Sequence, residues 1–558
     1  MPAFAHAGSA SEVTPPTLRP PPAAEVRAPV GAALSGARAT EPGASGEGSI
    51  LSFIAGQFRI VGDDGAAPAG VEALLAAARG RRMSLADLFA LAAMVERIYN
   101  EAGYLLVRVV VPPQALVDRG QVVLRIVDGF IEDVDARGVP ERQRDAVVAR
   151  LRHLVGRKRV HNDDLERALL IAGGLAGLTL KSALGKGRQT GGTLLVLNAE
   201  HKRLSGYVST DNRQSESVGG WALSGNLAAN SVLGRGEQVY VSATTPTQPS
   251  QMTASDSPMQ VTGVGLVIPL GTDGLTFNPE FTQTATYDAG GFFTPATKGD
   301  LTRVALRFSC PLYLTRRRSL TLTAAAEYLN ETATFPDFGL MLRRDQYWSL
   351  RPGLEGTAWL AGGRYVAGSL VLSQGLGGRD SKDVARTFVG LSRLGASPHF
   401  TKLNAAATLR QPMDASTTLM LTARGQVAFG SALLQNERFS LDGTDAVSTF
   451  IAGGFRVDEG ATLRGELQRR VPVDIDRVSL MLTPYVFASV GRGVSNHATA
   501  LEASSVTAAG YGAGVRIDAG LLGNLIGTTS GLEIGRQYTD LPRVREEWRL
   551  NLNMSLRF

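Results

Sequence analysis

Two hydrophobic periods divide this chain. After about residue 203, apolar positions recur every second residue. The pattern is clearest at the end, where Trp548, Leu550, Leu552, Met554, Leu556 and Phe558 alternate with Arg549, Asn551, Asn553, Ser555 and Arg557. Successive side chains of a strand point to opposite faces, so this stretch predicts a strand with one apolar and one polar face. Similar segments recur upstream between Gly, Asp, Asn or Thr-Pro turns. They include Leu204–Asp211, Trp221–Ala228, Val261–Ile268, Thr302–Phe308, Leu320–Tyr328, Leu419–Val427, Leu480–Val490 and Gly531–Gln537. About sixteen such segments, apolar outward and polar inward, predict a mainly β protein ending in a 16-stranded transmembrane antiparallel barrel with a wet lumen. An even strand count brings both barrel ends to one side.

Between residues 50 and 202 the period is mixed. Phe53, Phe58, Ile60 and Val61 predict a strand ending at Gly62, and Val71, Leu74, Leu75 and Ala78 a helix. Ser84 with Asp87 forms a capping-box pattern before a second helix, whose stripe is Leu85, Leu88, Leu91, Val95 and Ile98 and whose stop is Gly103. Strands Tyr104–Val111 and Gln121–Val127 follow. The same β-α-α-β-β order then repeats: strand Ile131–Ala136, helix Glu141–Leu154, helix Asp163–Leu170 capped by Asn162, and strands Leu178–Leu184 and Thr193–Ala199. The domain reading is 50–128 and 129–202 for the two α+β units and 203–558 for the barrel. Residues 1–49 are read as a signal-peptide remnant and a disordered Pro/Ala-rich linker. Ala5-His6-Ala7 has the form of a cleavage site, although the basic and apolar regions that precede such a site are missing.

Composition narrows the function. The chain has a mean hydropathy of +0.01, too low for a helical membrane protein. Its net charge is +6 with Arg and Lys spread along the chain, which argues against nucleic acid. The single Cys310 excludes an intramolecular disulfide. No His-Glu-x-x-His, Gly-x-Ser-x-Gly or phosphate-loop pattern occurs, so catalytic, metal and cofactor sites are expected to be absent. Gly510, Gly512 and Gly514 look like a nucleotide loop, but no helix follows. Close packing against a neighbour explains them better.

Several stretches together resemble the outer-membrane transporters of two-partner secretion, the haemolysin-activator and filamentous-haemagglutinin-transporter family. They are Gly103-Tyr104-Leu105, Val111-Pro112-Pro113-Gln114, Val127-Asp128-Gly129, the barrel entry Gly206–Arg213 with Gly219 and Asn226, and Leu233-Gly234-Arg235-Gly236-Glu237. The resemblance implies two POTRA domains in the periplasm of a Gram-negative bacterium and a barrel in its outer membrane. It implies a pore that binds one large unfolded secreted exoprotein through the POTRA domains and passes it to the cell surface without ATP or cofactor. Lipid and lipopolysaccharide would surround the barrel. The assembly machinery and periplasmic chaperones would read its terminal strand, Trp548, Leu550, Leu552, Met554, Leu556 and Phe558. The alternative is a factor that inserts other outer-membrane proteins. A passive porin and a barrel enzyme are weaker rivals.

The resemblance also implies a loop folded into the lumen, here near 429–458, with an Arg at its tip paired to an Asp on the wall. This chain departs from that pattern. The tip reads Val447-Ser448-Thr449-Phe450, and the wall reads Phe487-Ala488-Ser489-Val490-Gly491, so Ser448 and Ser489 stand where the charges belong. Losing both partners of a buried pair is close to neutral, whereas losing one is costly. The expectation is that Ser448 and Ser489 face each other, with Arg456 as the candidate substitute donor.

Overall fold

A computed structural model describes residues 10–18, 52–62, 67–215, 218–291, 294–475, 478–500, 502–521, 526–542 and 544–558. They form two compact units. A short helix α1 (Ala10–Val13) opens the described chain and belongs to the barrel unit.

The other unit contains two small α+β folds. The first consists of β1 (Ser52–Ile54), β2 (Gln57–Val61), α2 (Val71–Ala78), β3 (Arg82–Ser84), α3 (Leu85–Glu101), β4 (Arg108–Val110) and β5 (Gln121–Val127). Its main sheet has the order β2-β5-β4, and β1 pairs with β3. Leu88, Leu91, Ala92, Val95 and Tyr99 are the buried stripe of α3. The Ser84 hydroxyl accepts from the Asp87 N–H at 3.2 Å, and the Asp87 carboxylate accepts from the Ser84 N–H at 2.8 Å, so the capping box is closed. Gly103, at φ +93°, turns the chain out of the helix. The predicted strand from Tyr104 shrinks to β4, because Tyr104 turns to pack edge-on against His161, with ring centroids 5.7 Å apart.

The second fold consists of β6 (Phe130–Gly138), α4 (Glu141–Leu151), α5 (Asn162–Gly173), β7 (Leu178–Lys186) and β8 (Gly192–His201), with sheet order β6-β8-β7. Ile131, Val147, Leu151, Leu154, Leu195 and Leu197 make its core. The cap of α5 is His161 rather than Asn162: the His161 Nδ1 accepts from the Asp163 N–H at 3.2 Å. The same residue seals the joint between the folds, where the Asn162 N–H also bonds the Gly103 carbonyl at 2.8 Å.

The barrel strands are β9 (Leu204–Asp211), β10 (Ala222–Asn230), β11 (Gln238–Pro246), β12 (Met259–Leu270), β13 (Leu275–Asp288), β14 (Thr297–Leu314), β15 (Arg318–Phe335), β16 (Leu340–Trp359) and β17 (Tyr365–Gly378). After the short helix α6 (Ser381–Thr387) come β18 (Thr401–Pro412) and β19 (Thr417–Val427). A two-residue ribbon, β20 (Phe439–Ser440) with β21 (Arg456–Val457), precedes β22 (Glu459–Arg469), β23 (Val471–Ile475), β24 (Val478–Val494), β25 (Ser505–Leu521), β26 (Ile526–Thr539) and β27 (Trp548–Arg557). β22 and β23 both pair with β24 and act as one strand interrupted at Arg470, so the closed antiparallel barrel has sixteen strands. β27 closes on β9, and Phe558 and Gly206 exchange two main-chain hydrogen bonds of 3.1 Å.

The alternation predicted for the barrel is present. On β13, Asn278, Glu280, Thr282, Thr284 and Thr286 point inward and are buried, whereas Phe281 is exposed on the outer face. On β27, Trp548, Leu550 and Met554 are exposed outside and Asn551 is buried inside. Aromatic pairs Tyr328–Trp348 and Tyr511–Trp548 lie toward one rim, and Trp359–Tyr365 toward the other, as interfacial girdles do. No helix among the described residues is long and apolar enough to cross a membrane, and the strands do the crossing.

Residues 1–9 and 19–49, with their cleavage-site and linker readings, lie outside the described residues. Residues 10–18 differ from the linker reading. They lie against the inner wall, with Ala10 and Leu18 buried. Thr14 bonds Thr284 at 2.7 Å, and the Leu18 N–H donates to Glu280 at 2.9 Å.

Candidate functional site

The stretch between β19 and β22, residues 428–458, folds back into the lumen. Its ribbon β20–β21 carries a turn in which Phe439, Leu441, Val447, Phe450, Phe455 and Val457 cluster against Val506 and Ala508 of β25. Asp442 organises the turn. Its carboxylate accepts from the Ser440 hydroxyl at 2.6 Å and from the N–H groups of Gly453 at 2.9 Å and Phe455 at 2.8 Å. Burial nevertheless pushes the Asp442 carboxyl above its ordinary range, with those hydrogen bonds opposing.

The wall beneath the tip is glycine. A Cβ on Gly510 would stand 2.2 Å from the Thr449 hydroxyl, and one on Gly535 2.6 Å from the Thr449 methyl. Backbone and tip therefore meet at a distance that no other residue allows. This gives the Gly510-x-Gly512-x-Gly514 run a packing role: Ser489, Phe487 and Tyr485 lie across the sheet from those three glycines.

Ser448 is the buried end of the tip. Its hydroxyl donates to Glu533 at 2.5 Å and accepts from Arg464 at 2.5 Å, and its carbonyl accepts from Asn551 at 2.8 Å. Arg464 and Glu533 are themselves paired at 2.6 Å. The guanidinium of Arg464 also bonds Glu466 at 2.7 Å and lies over the Phe487 ring, 4.0 Å from its centroid. Tyr485 donates to Glu533 at 2.9 Å. The ion pair thus lies wholly within the wall, and a neutral serine is wedged into it. Ser489 lies across the sheet from Arg464, and its hydroxyl donates to the Gly510 carbonyl at 3.3 Å. Arg456, the candidate substitute donor, is elsewhere: it bonds the Gln435 carbonyl at 3.1 Å within the loop. The cation that meets Ser448 is Arg464. Val447, Thr449 and Phe450 are buried with the tip, and Gly491 lies under Leu441 and Val447.

Two further anchors were not singled out from sequence. Glu437 accepts from Tyr347 at 2.6 Å and pairs with Arg351 at 2.6 Å and Lys402 at 2.9 Å. Burial alone would raise the Glu437 carboxyl, but Arg351 and Lys402 hold it well below the carboxylate range. Arg351 continues to Glu327, and Arg307 joins Glu327 to Glu280, so a chain of alternating charges crosses the wall from β18 to β13. At the base of the loop, Arg393 pairs with Asp458 at 2.6 Å and Glu502 at 2.8 Å, tying three connections between strands together. The clue available in sequence was parity. Arg464, Glu466 and Glu533 occupy inward positions between outward Leu463, Leu467, Leu532 and Ile534.

This arrangement is a lumen loop pinned at its tip, middle and base. Comparison with known proteins identifies the family. Residues 55–129 match the ShlB-type POTRA domain, and residues 191–517 match the haemolysin secretion/activation protein family ShlB/FhaC/HecB. The heme/hemopexin transporter protein HuxB of Haemophilus influenzae strain 86-028NP is 23% identical over 453 residues, covering 79% of this chain and 76% of its own. Among solved structures, CdiB from Escherichia coli superposes with a TM-score of 0.70 at 18% identity, covering 93% of each chain. BamA from Haemophilus ducreyi lacking POTRA domains 1–3 gives 0.51 at 11% identity, covering 91% of this chain and 100% of that one. The match to more than half of its length shows that this chain belongs to the ShlB/FhaC/HecB family of haemolysin secretion/activation proteins, outer-membrane transporters of two-partner secretion with periplasmic POTRA domains.

Proposed function

We propose that the pore carries one large exoprotein, unfolded, from the periplasm to the cell surface, and that the POTRA folds capture it first. The carrying observation is the barrel itself: an apolar outer face, a lumen lined by Asn, Thr, Glu and Arg, and a loop pinned inside it. A wet wall with few apolar sites lets an extended chain pass. The sheet edges β2, β4, β6 and β7 support capture, because an edge strand can pair with an extended client through main-chain hydrogen bonds. Such pairing requires no ATP, and folding of the client outside makes passage one-way. The outer face takes lipid and lipopolysaccharide. The terminal strand Trp548–Phe558 serves as the signal read by periplasmic chaperones and the barrel-assembly machinery. The Ser448 site holds the loop, and we assign it no catalytic role.

The test is deletion of the gene followed by comparison of the proteins secreted by the two strains. Loss of one large secreted protein, restored by the intact gene, is expected. Loss of many unrelated outer-membrane proteins would instead make the chain an assembly factor. Loss of small-solute uptake alone would make it a porin.

A further inference from the structure

We infer that the outward row Tyr511–Arg536–Trp548 at the outer rim is a binding site for one lipopolysaccharide molecule. Arg536 takes a phosphate of the headgroup, and the aromatic rings lie against its sugar. The inference rests on the reading above that the outer face takes lipopolysaccharide, and names the place on the wall that selects it.

Strand register brings these side chains together. Tyr511 of β25 pairs with Arg536 of β26, and Arg536 pairs with Trp548 of β27, so a cation stands between two aromatic residues in one row. The row faces lipid: Tyr511 is 48% exposed and Trp548 59%. Tyr538, the next outward position of β26, stacks on Tyr511 with ring centroids 5.8 Å apart, and the Arg536 guanidinium lies over the Tyr538 ring at 5.4 Å. The wall also fixes the depth of the row. β9 follows the second POTRA fold directly, and Phe558 bonds Gly206 near the start of β9, so that end of β27 is periplasmic and Trp548 lies at the outer end. Beneath the row come Ile534 opposite Leu550 and then Leu532 opposite Leu552, the apolar band of the wall. A cation and aromatic rings at the upper edge of that band are level with the headgroups of the outer leaflet.

Two features separate this row from an ordinary aromatic girdle. Arg536 is weakly engaged. Among the described residues its guanidinium makes no hydrogen bond, and its ion-pair partner Glu546 stands 3.6 Å away with half of its side chain exposed. An exposed pair of that kind contributes little, whereas a phosphate accepts two parallel N–H bonds from one guanidinium. The other outer-rim aromatic pair, Tyr328–Trp348, lacks the cation: its row continues to Val304 and Gly377. The outward Arg344 lies four residues along β16 and bonds Asn330 at 2.9 Å. Lipopolysaccharide is the outer-leaflet lipid that joins phosphate to a sugar ring. The C–H face of the sugar suits an aromatic face, and the phosphate suits Arg536. A phospholipid headgroup without sugar would use the cation alone.

Native mass spectrometry of the purified full-length protein tests the inference. Phosphorylated lipid A, lipid A stripped of phosphate, phosphatidylglycerol and inorganic phosphate are titrated separately. Heat-modifiable gel mobility checks that each variant remains a folded barrel. Phosphorylated lipid A should bind saturably at one site. Stripped lipid A and phosphatidylglycerol should each bind about tenfold more weakly or worse, the size of a lost hydrogen bond between charged groups, and inorganic phosphate should not bind in that range. Arg536→Gln should weaken phosphorylated lipid A by about tenfold. Trp548→Leu should weaken both forms of lipid A and leave phosphatidylglycerol unchanged, and Arg344→Gln should change nothing. Equal affinity for phosphorylated lipid A and phosphatidylglycerol would overturn the inference, as would an Arg536→Gln protein that binds like the parent. Unsaturated binding of many lipid A molecules by every variant would leave lipopolysaccharide around the barrel and remove the site. The secretion phenotype of the gene deletion is independent of all these results, so the pore reading stands or falls by itself.

Discussion

Arg464 and Glu533 meet at 2.6 Å inside the barrel wall, and the tip of the lumen loop reaches them only through a serine hydroxyl. Both charges come from strands, so the loop can leave without stranding either one. Arg464→Ala leaves Glu533 without its cation and should cost about 3–5 kcal/mol, whereas Ser448→Ala should cost about 1–3 kcal/mol. Arg464→Met combined with Glu533→Leu should lie close to the parent, because Glu466 keeps Arg516 at 2.8 Å and no buried charge is left alone. Urea unfolding midpoints of the detergent-solubilised barrel check the order of the three.

A charged tip can be rebuilt, and the neighbours decide the sign. Ser448→Arg places a second guanidinium beside Arg464 and should loosen the tip. Ser489→Asp adds a carboxylate across the sheet from Arg464. The double variant should therefore be better than Ser448→Arg alone, with a coupling of about 0.5–3 kcal/mol in a double-mutant cycle. Secretion yield and unfolding midpoint are the readouts. Additive effects would mean that positions 448 and 489 do not share the Arg464 environment.

The tip was legible in sequence because Val447-Ser448-Thr449-Phe450 stands where the family pattern has its arginine. Its partners were not. Arg464 looks like any inward polar residue of a strand, and Glu533 lies 69 residues further along. Which wall charge lies under the tip depends on the register of several strands, and pairing across a barrel is not local. Local rules did better where the cause was local: the Ser84–Asp87 box was readable because both halves lie within one turn. They failed at α5, where His161, an uncommon cap, displaced Asn162 because it also packs against Tyr104. Residues 10–18 were opaque for another reason. Half of what holds them comes from main-chain groups of Pro16 and Leu18, which leave no pattern in side chains, and the Thr14 and Thr17 hydroxyls find their partners more than 260 residues away.

The knot at Arg393 should set how tightly the connections at that rim are held. Arg393 bridges Asp458, Glu502 and the Asn496 carbonyl, so it ties residues 379–400 to the base of the lumen loop and to residues 495–504. Arg393→Ala leaves Asp458, fully buried, with the N–H groups of Leu433 and Asn496 and, as its cation, the more distant Arg438 at 3.8 Å. The expected result is faster cleavage within these segments by added protease on intact cells, with little change in strand content by circular dichroism. Arg393→Lys keeps the charge but loses the forked geometry, and should fall between the two. Equal protection in all three proteins would show that the knot does not hold the rim.

Acid should test the middle anchor, and two carboxyls of the loop pull in opposite directions. Glu437 faces Tyr347, Arg351 and Lys402 and is held below its ordinary value of 4.5. Its contribution is therefore complete above about pH 4.5 and is lost only as the pH falls through the lower folded value. Asp442 lies above its ordinary 3.8, so the folded loop favours its neutral form, and mild acid stabilises the turn at that residue. Neither carboxyl gives the loop a reason to release between pH 7 and pH 5. A spin label at Thr444→Cys, in a Cys310→Ser background, reports the tip. Its spectrum should stay immobilised from pH 7 to pH 5 and loosen only below about pH 4.5, where Glu437 begins to lose its advantage. Glu437→Gln leaves Arg351 and Lys402 facing a neutral amide, so the label should be more mobile already at pH 7. A parent protein that releases its loop near pH 6 would show that Arg351 and Lys402 do not hold Glu437 ionised.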